Sequence, residues 1–511
     1  MRRVRGLSAQ LDDVLLTGLA ACAIAAIAAF FIPALFRLSY PFPLESTEQA
    51  SLEQVRRVVQ GQPLYVAPTL QHVPLVYAPL YYYVSAPIAA LVGVSYTPMR
   101  LVSLLASAAS LGLIAYLVTR ETRRRLAGLA SAGLLAATYP LSSTALDVAH
   151  VDALFVFLVL AGLVLARTRG DPLALAASGI LLGLAGLTKL PIGAAPVVAA
   201  VVTYLVIAGR PAAAASCALG FIATLAVGLL ALRVQAGPWP TWYVLELPAK
   251  HVINNHGDLL PNFWLRDILP RFSFVLLIGP VFPLVRAVDG HRRPLLFYSL
   301  VILSLIAVAW AARSNSGGAP NVLVPGHVAI ALLFGLGLDA LLRLLSGGSA
   351  RVRTLRAYLL GLCIVQFALL VYNPRVLAPY RSEQWAAERL STTLANLDGQ
   401  LFAPNLDGYV SGSDKGEQPL VGAVLEITGS YGGLGTAEGD GWKRELATAL
   451  REHRYGHVVL IEQCCEISEA LAQNGYVAVG PLFPPNDEYW LWTNGRTPSD
   501  LKVFVPGTAN P

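Results

Sequence analysis

Apolar positions run through this chain in long unbroken stretches, without the alternation of a half-buried strand or the one-sided stripe of a surface helix, from Val14 to Tyr372. Stretches of about 17 to 25 apolar residues are the length that crosses a bilayer as a helix. Eleven such segments are predicted as spans: 14–36, 98–119, 126–145, 151–166, 173–188, 192–208, 212–232, 272–288, 295–312, 322–342 and 357–372. Beyond them the pattern changes. Polar helical patterns (383–397, 442–454) alternate with short strand-like runs (457–461, 476–479). The expected fold is an α-helical polytopic membrane domain over residues 1–373 followed by a small C-terminal α/β domain over 374–511.

Composition agrees with the pattern. Of 511 residues 55% are hydrophobic and 13% charged, against about 25% charged in soluble domains. The first segment follows Arg2, Arg3 and Arg5. It is longer than a signal-peptide core and lacks a small-residue cleavage site, so it reads as a retained span. The net charge of +6 does not point to nucleic acid, because the basic residues cluster in short connections between spans.

Those basic residues also set the topology. Segment 76–94 reads either as a further span or as a helix at the interface. If it does not cross, Arg2/Arg3/Arg5, Arg120/Arg123/Arg124/Arg125, Arg167/Arg169, Arg210, Arg286/Arg292/Arg293 and Arg343/Arg351/Arg353/Arg356 all face the cytoplasm, as cytoplasmic loops require. If it crosses, all but the first three move outside. The non-crossing reading also suits Tyr77, Tyr81, Tyr82 and Tyr83 beside Pro79 and Pro87, an aromatic, kinked helix at headgroup level. It gives eleven spans in the plasma (inner) membrane, a cytoplasmic N-terminus and an extracytoplasmic C-terminal domain. Segments 37–99 and 233–271 and the tail then face outward.

Ionisable residues at span ends are the default functional candidates, since polar groups are costly in lipid. Glu45 and Glu48 stand at the start of a predicted helix, where Ser46 and Gln49 fit a capping box. They serve either the helix dipole or a general base and its partner. Asp147, His150 and Asp152 form a tight turn, in which Asp152 either caps a helix or belongs to a site. Lys189 in a short apolar hairpin is either snorkelling or holding an anion. The loop with Trp239 and Trp242 leads to Lys250, His251, His256, Asp258, Arg266 and Arg271. Indoles and cations there suit a sugar and a phosphate, and equally an interfacial anchor. Arg313 to Asn321 is a glycine-bearing turn that fits backbone contact with an anion or a plain hairpin.

Several chemistries find no support. There is no P-loop, dinucleotide fingerprint, HExxH or Asp-x-Asp motif. No cofactor is called for, and a divalent metal, though compatible, is not indicated. His453 and His457 have helical ligand spacing, but Gly456 interrupts it. Of the five cysteines, Cys22, Cys217 and Cys363 lie in apolar segments, and the adjacent Cys464 and Cys465 would bridge only with strain.

The order of these pieces resembles the polytopic GT-C glycosyltransferases, especially bacterial members related to protein O-mannosyltransferases and to the aminoarabinose transferases that modify lipid A. The resemblance covers roughly residues 1–373. It rests on the acidic pair after the first span, Gly61-Gln-Pro-Leu-Tyr65, Tyr77-Ala-Pro-Leu-Tyr-Tyr-Tyr83, Ala149-His-Val-Asp152, Leu187-Thr-Lys189 and Ser316-Gly-Gly-Ala-Pro-Asn-Val-Leu323. It implies an inverting transfer of a sugar from a polyprenyl-phosphate donor to a glycan, lipid or protein acceptor on the outer face. Glu45 then takes the position of the catalytic carboxylate, where relatives more often carry Asp, with Glu48 at the second acidic position. Lys189, His251 and Arg313 become candidates for the donor phosphate, with His150, Asp152 and Asn321 beside them. His150 replaces a position commonly occupied by Arg, exchanging a permanent cation for a titratable one. The competing readings are a transporter or lipid flippase, and a non-catalytic envelope-assembly partner. Against transport stand the absence of an inverted repeat and of charges deep in the spans.

Overall fold

The computed structural model describes residues 2–253, 261–315, 317–347, 349–430, 433–461, 465–484 and 501–507. His256, Asp258, Ser316 and Cys464 lie outside the described residues. Every predicted apolar segment contributes a helix. In chain order these are α1 (Arg2–Leu38), α4 (Tyr96–Thr122), α5 (Arg125–Ala137), α6 (Asp152–Thr168), α7 (Pro172–Gly186), α8 (Pro191–Ile207) and α9 (Pro211–Ala236). There follow α10 (Leu269–Ile278), α11 (Val281–Val288), α12 (Arg292–Ser314), α13 (Val324–Leu344) and α14 (Ala350–Ala368). Between α1 and α4 lie α2 (Ser46–Val59) and α3 (Leu80–Val92). Among the described residues six helical stretches are long and apolar enough to cross a membrane: Gln10–Leu38, Tyr96–Thr122, Pro211–Ala236, Asn262–Val288, Arg292–Ser314 and Pro320–Leu344.

Local chemistry moves some boundaries. The predicted segment 126–145 ends early, because Pro140 opens a 3₁₀ turn (Tyr139–Ser142) and Ser143 and Thr144 adopt φ of +52° and +56°. Proline cannot donate the next helical hydrogen bond, and two left-handed residues end the helix outright. The expected capping box is also absent. Glu45 itself is the N-cap of α2, its carboxylate accepting from Thr47 N at 3.1 Å. The Gln49 amide reaches instead into the tail, to Asn405 O at 2.8 Å and from Gly408 N at 2.9 Å.

The position of segment 76–94 follows from one contact. Arg100, on the first turns of α4, donates to the carbonyl of Arg37 at the end of α1, at 3.0 Å. The chain therefore leaves α1 and enters α4 at the same end of these helices, with α2 and α3 between them. Ala78 and Leu80 further pin the start of α3 to the α7–α8 turn through Lys189 O and Leu187 O, both at 2.9 Å. At the opposite ends of the helices sit Arg124 and Arg343, both on the buried Asp339 at 2.9 and 2.7 Å. Arg167 meets Glu121 there at 2.7 Å and Arg356 meets Asp12 at 3.3 Å. Arg100 and Asp339, two of the charges inside predicted spans, thus lie near span ends and are paired.

Helices pack through small residues, as expected where lipid supplies no hydrophobic drive between them. The closest pair is α7 with α9. A Cβ on Gly179 would stand 2.0 Å from the Cys217 carbonyl oxygen, and one on Gly220 2.4 Å from that of Ala176.

The tail carries a four-stranded sheet of order β1-β2-β4-β3, with β1 (Leu401–Phe402) parallel to β2 (His457–Ile461). Strand β4 (Leu501–Pro506) runs antiparallel to β2 and to β3 (Tyr476–Pro481). Helices α15 (Arg381–Ala395), α16 (Val421–Thr428), α17 (Ala437–Arg451) and α18 (Cys465–Gln473) complete it. It docks on the α1–α4 connection through the Gln49 contacts, through Trp442 Nε1 to Thr69 O at 2.9 Å and through Phe42 stacked on Tyr409 at 5.7 Å. His453 and His457 do not form a pair of ligands. His457 bonds the Asp398 carbonyl at 3.0 Å, while His453 lies 5.9 Å from the Tyr476 ring.

Because the α7–α9 approach leaves no room for a Cβ, Gly179→Val is expected to force the helices apart at a cost of about 1–3 kcal/mol. A lowered melting temperature of the purified protein in detergent checks this, with Gly112→Ala, where nothing lies within 4 Å, as the neutral comparison.

Candidate active site

The loop from Arg37 to Glu48 contains few residues that could hold a shape by themselves, yet it is fixed by a single buried cation. Arg100 Nε and Nη2 grip Glu48 Oε1 and Oε2 at 2.8 and 2.6 Å. Its remaining donors reach the carbonyls of Arg37 at 3.0 Å, Tyr40 at 2.5 Å and Phe42 at 2.8 Å. Glu48 also accepts from Leu44 N and Ala149 N, both at 2.6 Å. Burial alone pushes the Glu48 carboxyl up, but the Arg100 guanidinium and these amide donors outweigh it and hold the pKa below the usual range. Beside it Arg37 meets Asp147 Oδ2 at 3.2 Å and Tyr139 Oη at 2.7 Å, tying the α5–α6 loop to the end of α1.

Glu45 has the opposite environment. It is three residues earlier, on the open side of the same helix start, and only Thr47 N bonds its carboxylate among the described residues; Oε1 is buried without a hydrogen-bond partner. Burial, with the charge of Glu48 adding to it and His150 opposing it, raises the Glu45 pKa above its ordinary value.

Glu45 opens into a cavity of about 520 Å³, within the range of small-molecule sites. Ser46, Thr47 and Tyr77 line one side, Ser143, Ala145 and His150 another, Gly317 and Ala319 to Val322 a third. The tail roofs it with Asn405, Leu420 to Ala423 and Glu426.

Behind the His150 wall four predicted residues converge. Asp152, fully buried at the start of α6, meets His150 Nδ1 at 2.6 Å, accepts from Asn321 Nδ2 at 2.9 Å and pairs with Lys189. Burial disfavours the imidazolium of His150, but the Asp152 carboxylate and then Glu45 outweigh it, so its pKa is raised. The charged form of the titratable residue is thereby favoured, and the Tyr77 ring stands edge-on to it at 5.1 Å.

The structure therefore sorts the candidates. Glu45, His150 and Asn321 face the cavity. Glu48 does not: both its oxygens are consumed by Arg100 and backbone amides, and it holds the loop. Lys189 contacts Asp152 rather than lining the cavity. His251 pairs with Glu426 of the roof, and Arg313 with Asp267 at 2.8 Å and the Gly318 carbonyl of its own turn. Arg100 and Glu426 are the residues that sequence reasoning passed over. A lone arginine at the start of an apolar span was the available signal for the first; nothing local marks the second.

The model of glycosyltransferase family 87 matches residues 75–338, just over half of the sequence, and the chain belongs to that family. ArnT from Cupriavidus metallidurans in the apo state shares the fold, with a TM-score of 0.58 at 14% identity over 94% of this chain and 97% of that one. The same protein bound to undecaprenyl phosphate aligns with a TM-score of 0.55 at 14% identity over 96% and 98% of the two chains. The oligosaccharyltransferase AglB from Archaeoglobus fulgidus, in complex with an inhibitory peptide and a dolichol-phosphate, gives 0.54 at 13% identity over 89% and 72%. No curated protein matches the chain by sequence.

The two carboxylates are expected to respond differently to neutralisation. Glu48→Gln leaves the buried Arg100 without its counter-ion, at about 3–5 kcal/mol, and should lower the melting temperature sharply. Glu45 is the reverse case. A carboxyl with a raised folded pKa costs stability as pH climbs from its unfolded toward its folded pKa, so Glu45→Gln should melt at or above the wild-type temperature at pH 7.

Proposed function

We propose that this glycosyltransferase moves a sugar from a polyprenyl-phosphate carrier to a glycan, lipid or protein acceptor at the extracytoplasmic face of the plasma membrane, by inverting displacement with Glu45 as the general base. The observation that carries the reading is Glu45 itself: a buried carboxylate with one oxygen unpartnered among the described residues, opening into a cavity beside the His150 cation and the Asn321 amide. The lipid phosphates named with ArnT and AglB support the donor class. The face assignment rests on the arginine-rich helix ends lying opposite the cavity.

In the proposed step the acceptor hydroxyl gives its proton to Glu45 Oε1 as its oxygen attacks the anomeric carbon. The bond from that carbon to the phosphate oxygen breaks, and polyprenyl phosphate leaves with the electron pair. Charge grows on the departing oxygen, where His150 and Asn321 supply preorganised donors. Asp152, clamped by Lys189, acts one step back by keeping His150 protonated and oriented. The tail roof keeps water from competing with the acceptor. Glu48, Arg100, His251 and Arg313 set the shape of the walls in this scheme.

Purified protein given a radiolabelled polyprenyl-phosphate sugar and membrane extract should release polyprenyl phosphate, and Glu45→Gln should lower that rate about 10²- to 10⁴-fold. Full turnover by a folded Glu45→Gln protein rejects the base assignment. The pH–rate profile should be bell-shaped. Its acidic limb, from Glu45 protonation, lies above the ordinary carboxylate range because burial raises that pKa. Its basic limb, from His150 losing its proton, lies above the ordinary imidazole range. His150→Arg should remove the basic limb and keep the acidic one.

A further inference from the structure

Away from the cavity, three segments bring ligand-type side chains together in the seam between the first long loop and the tail. Glu53 lies two turns along α2 from Glu45, His72 on the extended run before α3, and Glu417 on the tail segment before α16. Their potential donor atoms all lie within 4.8 Å of one another, and His72 Nδ1 stands 3.8 Å from Glu417 Oε2. They border a small void of about 20 Å³, the room of a single water or ion.

We propose that Glu53, His72 and Glu417 bind one divalent cation of the zinc class, which staples the tail to α2. Glu53 and His72 are buried and Glu417 is partly exposed, so two carboxylates and an imidazole converge where water has little access. Asp407 lines the same void, and its Oδ2 is buried without a hydrogen-bond partner among the described residues; so is His72 Nε2. Arg56 donates to one Glu53 oxygen and to Ser411, and Arg57 lies close enough to disfavour a charged His72. Three carboxylates thus gather around the void, and Arg56 bonds one of them.

An imidazole among carboxylates favours zinc or its neighbours over calcium or magnesium, which take oxygen ligands. Ligand atoms about 2.0–2.2 Å from zinc lie roughly 3.4 Å apart in a tetrahedron, so the present spacing closes with side-chain movement alone. The ion would bear on the cavity without touching it. Asn405 and Leu420 line both spaces, and α2 carries Glu45 at its other end. Locking Glu53 to Glu417 therefore fixes the roof over the carboxylate.

The full-length protein in detergent, stripped with EDTA and dialysed, is titrated with Zn²⁺ by calorimetry and with Co²⁺ by visible absorption. About one equivalent should bind, the cobalt form should show ligand-field bands, and zinc should raise the melting temperature. His72→Gln and the more accessible Glu417→Gln should each weaken binding tenfold or more and remove the thermal shift, while Glu45→Gln leaves binding intact. Because metal uptake is read without turnover, this result stands or falls apart from the transferase reading. Absence of uptake by wild type overturns the proposal, and so does undiminished uptake by both variants or uptake lost in Glu45→Gln alone.

Discussion

Everything around the cavity depends on the buried pairing of Arg100 with Glu48. An arginine at the start of a membrane helix must find partners, and here its five donors are met by one carboxylate and three carbonyls of the loop that leaves α1. Such a pair contributes little net stability against an apolar replacement but is very costly to break. Its consequence is positional: with Glu48 fixed to Arg100, Leu44 N and Ala149 N, Glu45, three residues earlier at the helix cap, is left on the other side, toward the cavity. The two neighbouring glutamates thus acquire opposite roles from their surroundings, one saturated and anionic, the other dry and underbonded.

A second constraint comes from the pair Asp152 and His150. A histidine in so buried a place would ordinarily lose its proton. The carboxylate two residues on, itself clamped by Lys189 and Asn321, reverses that preference. The proposed transfer calls for a cation opposite the departing phosphate that costs no reorganisation at the moment of reaction. The turn supplies one from a residue type that need not be charged, which makes its charge dependent on the intact network behind it.

The tail belongs to this site. It provides the roof residues Asn405, Leu420 to Ala423 and Glu426, and it is tied to the first loop by Gln49, by Trp442 and by the Glu426 pair with His251. A loop that links two membrane helices has few internal contacts of its own, so covering it with a folded unit both orders it and shelters the cavity from water. The membrane helices below achieve their close approach differently, by glycines whose missing Cβ atoms admit a neighbouring backbone.

What the sequence determined by itself follows from length scales and charge. Apolar runs of bilayer length make membrane helices whatever surrounds them, the arginines mark one set of helix ends, and the order of the acidic pair, His150, Asp152, Lys189 and Asn321 was enough to single out residues that the fold brings together beside one cavity. What it could not assign was their division of labour. Whether Glu45 or Glu48 is free, whether Lys189 meets a ligand or Asp152, and whether Gln49 caps its helix or grips the tail are settled by partners as much as 359 positions away. Only the tertiary structure decided these, because hydrogen bonds and desolvation act through space over a few ångströms, and the chain brings Arg100, Ala149 and the tail to the glutamates only when it folds.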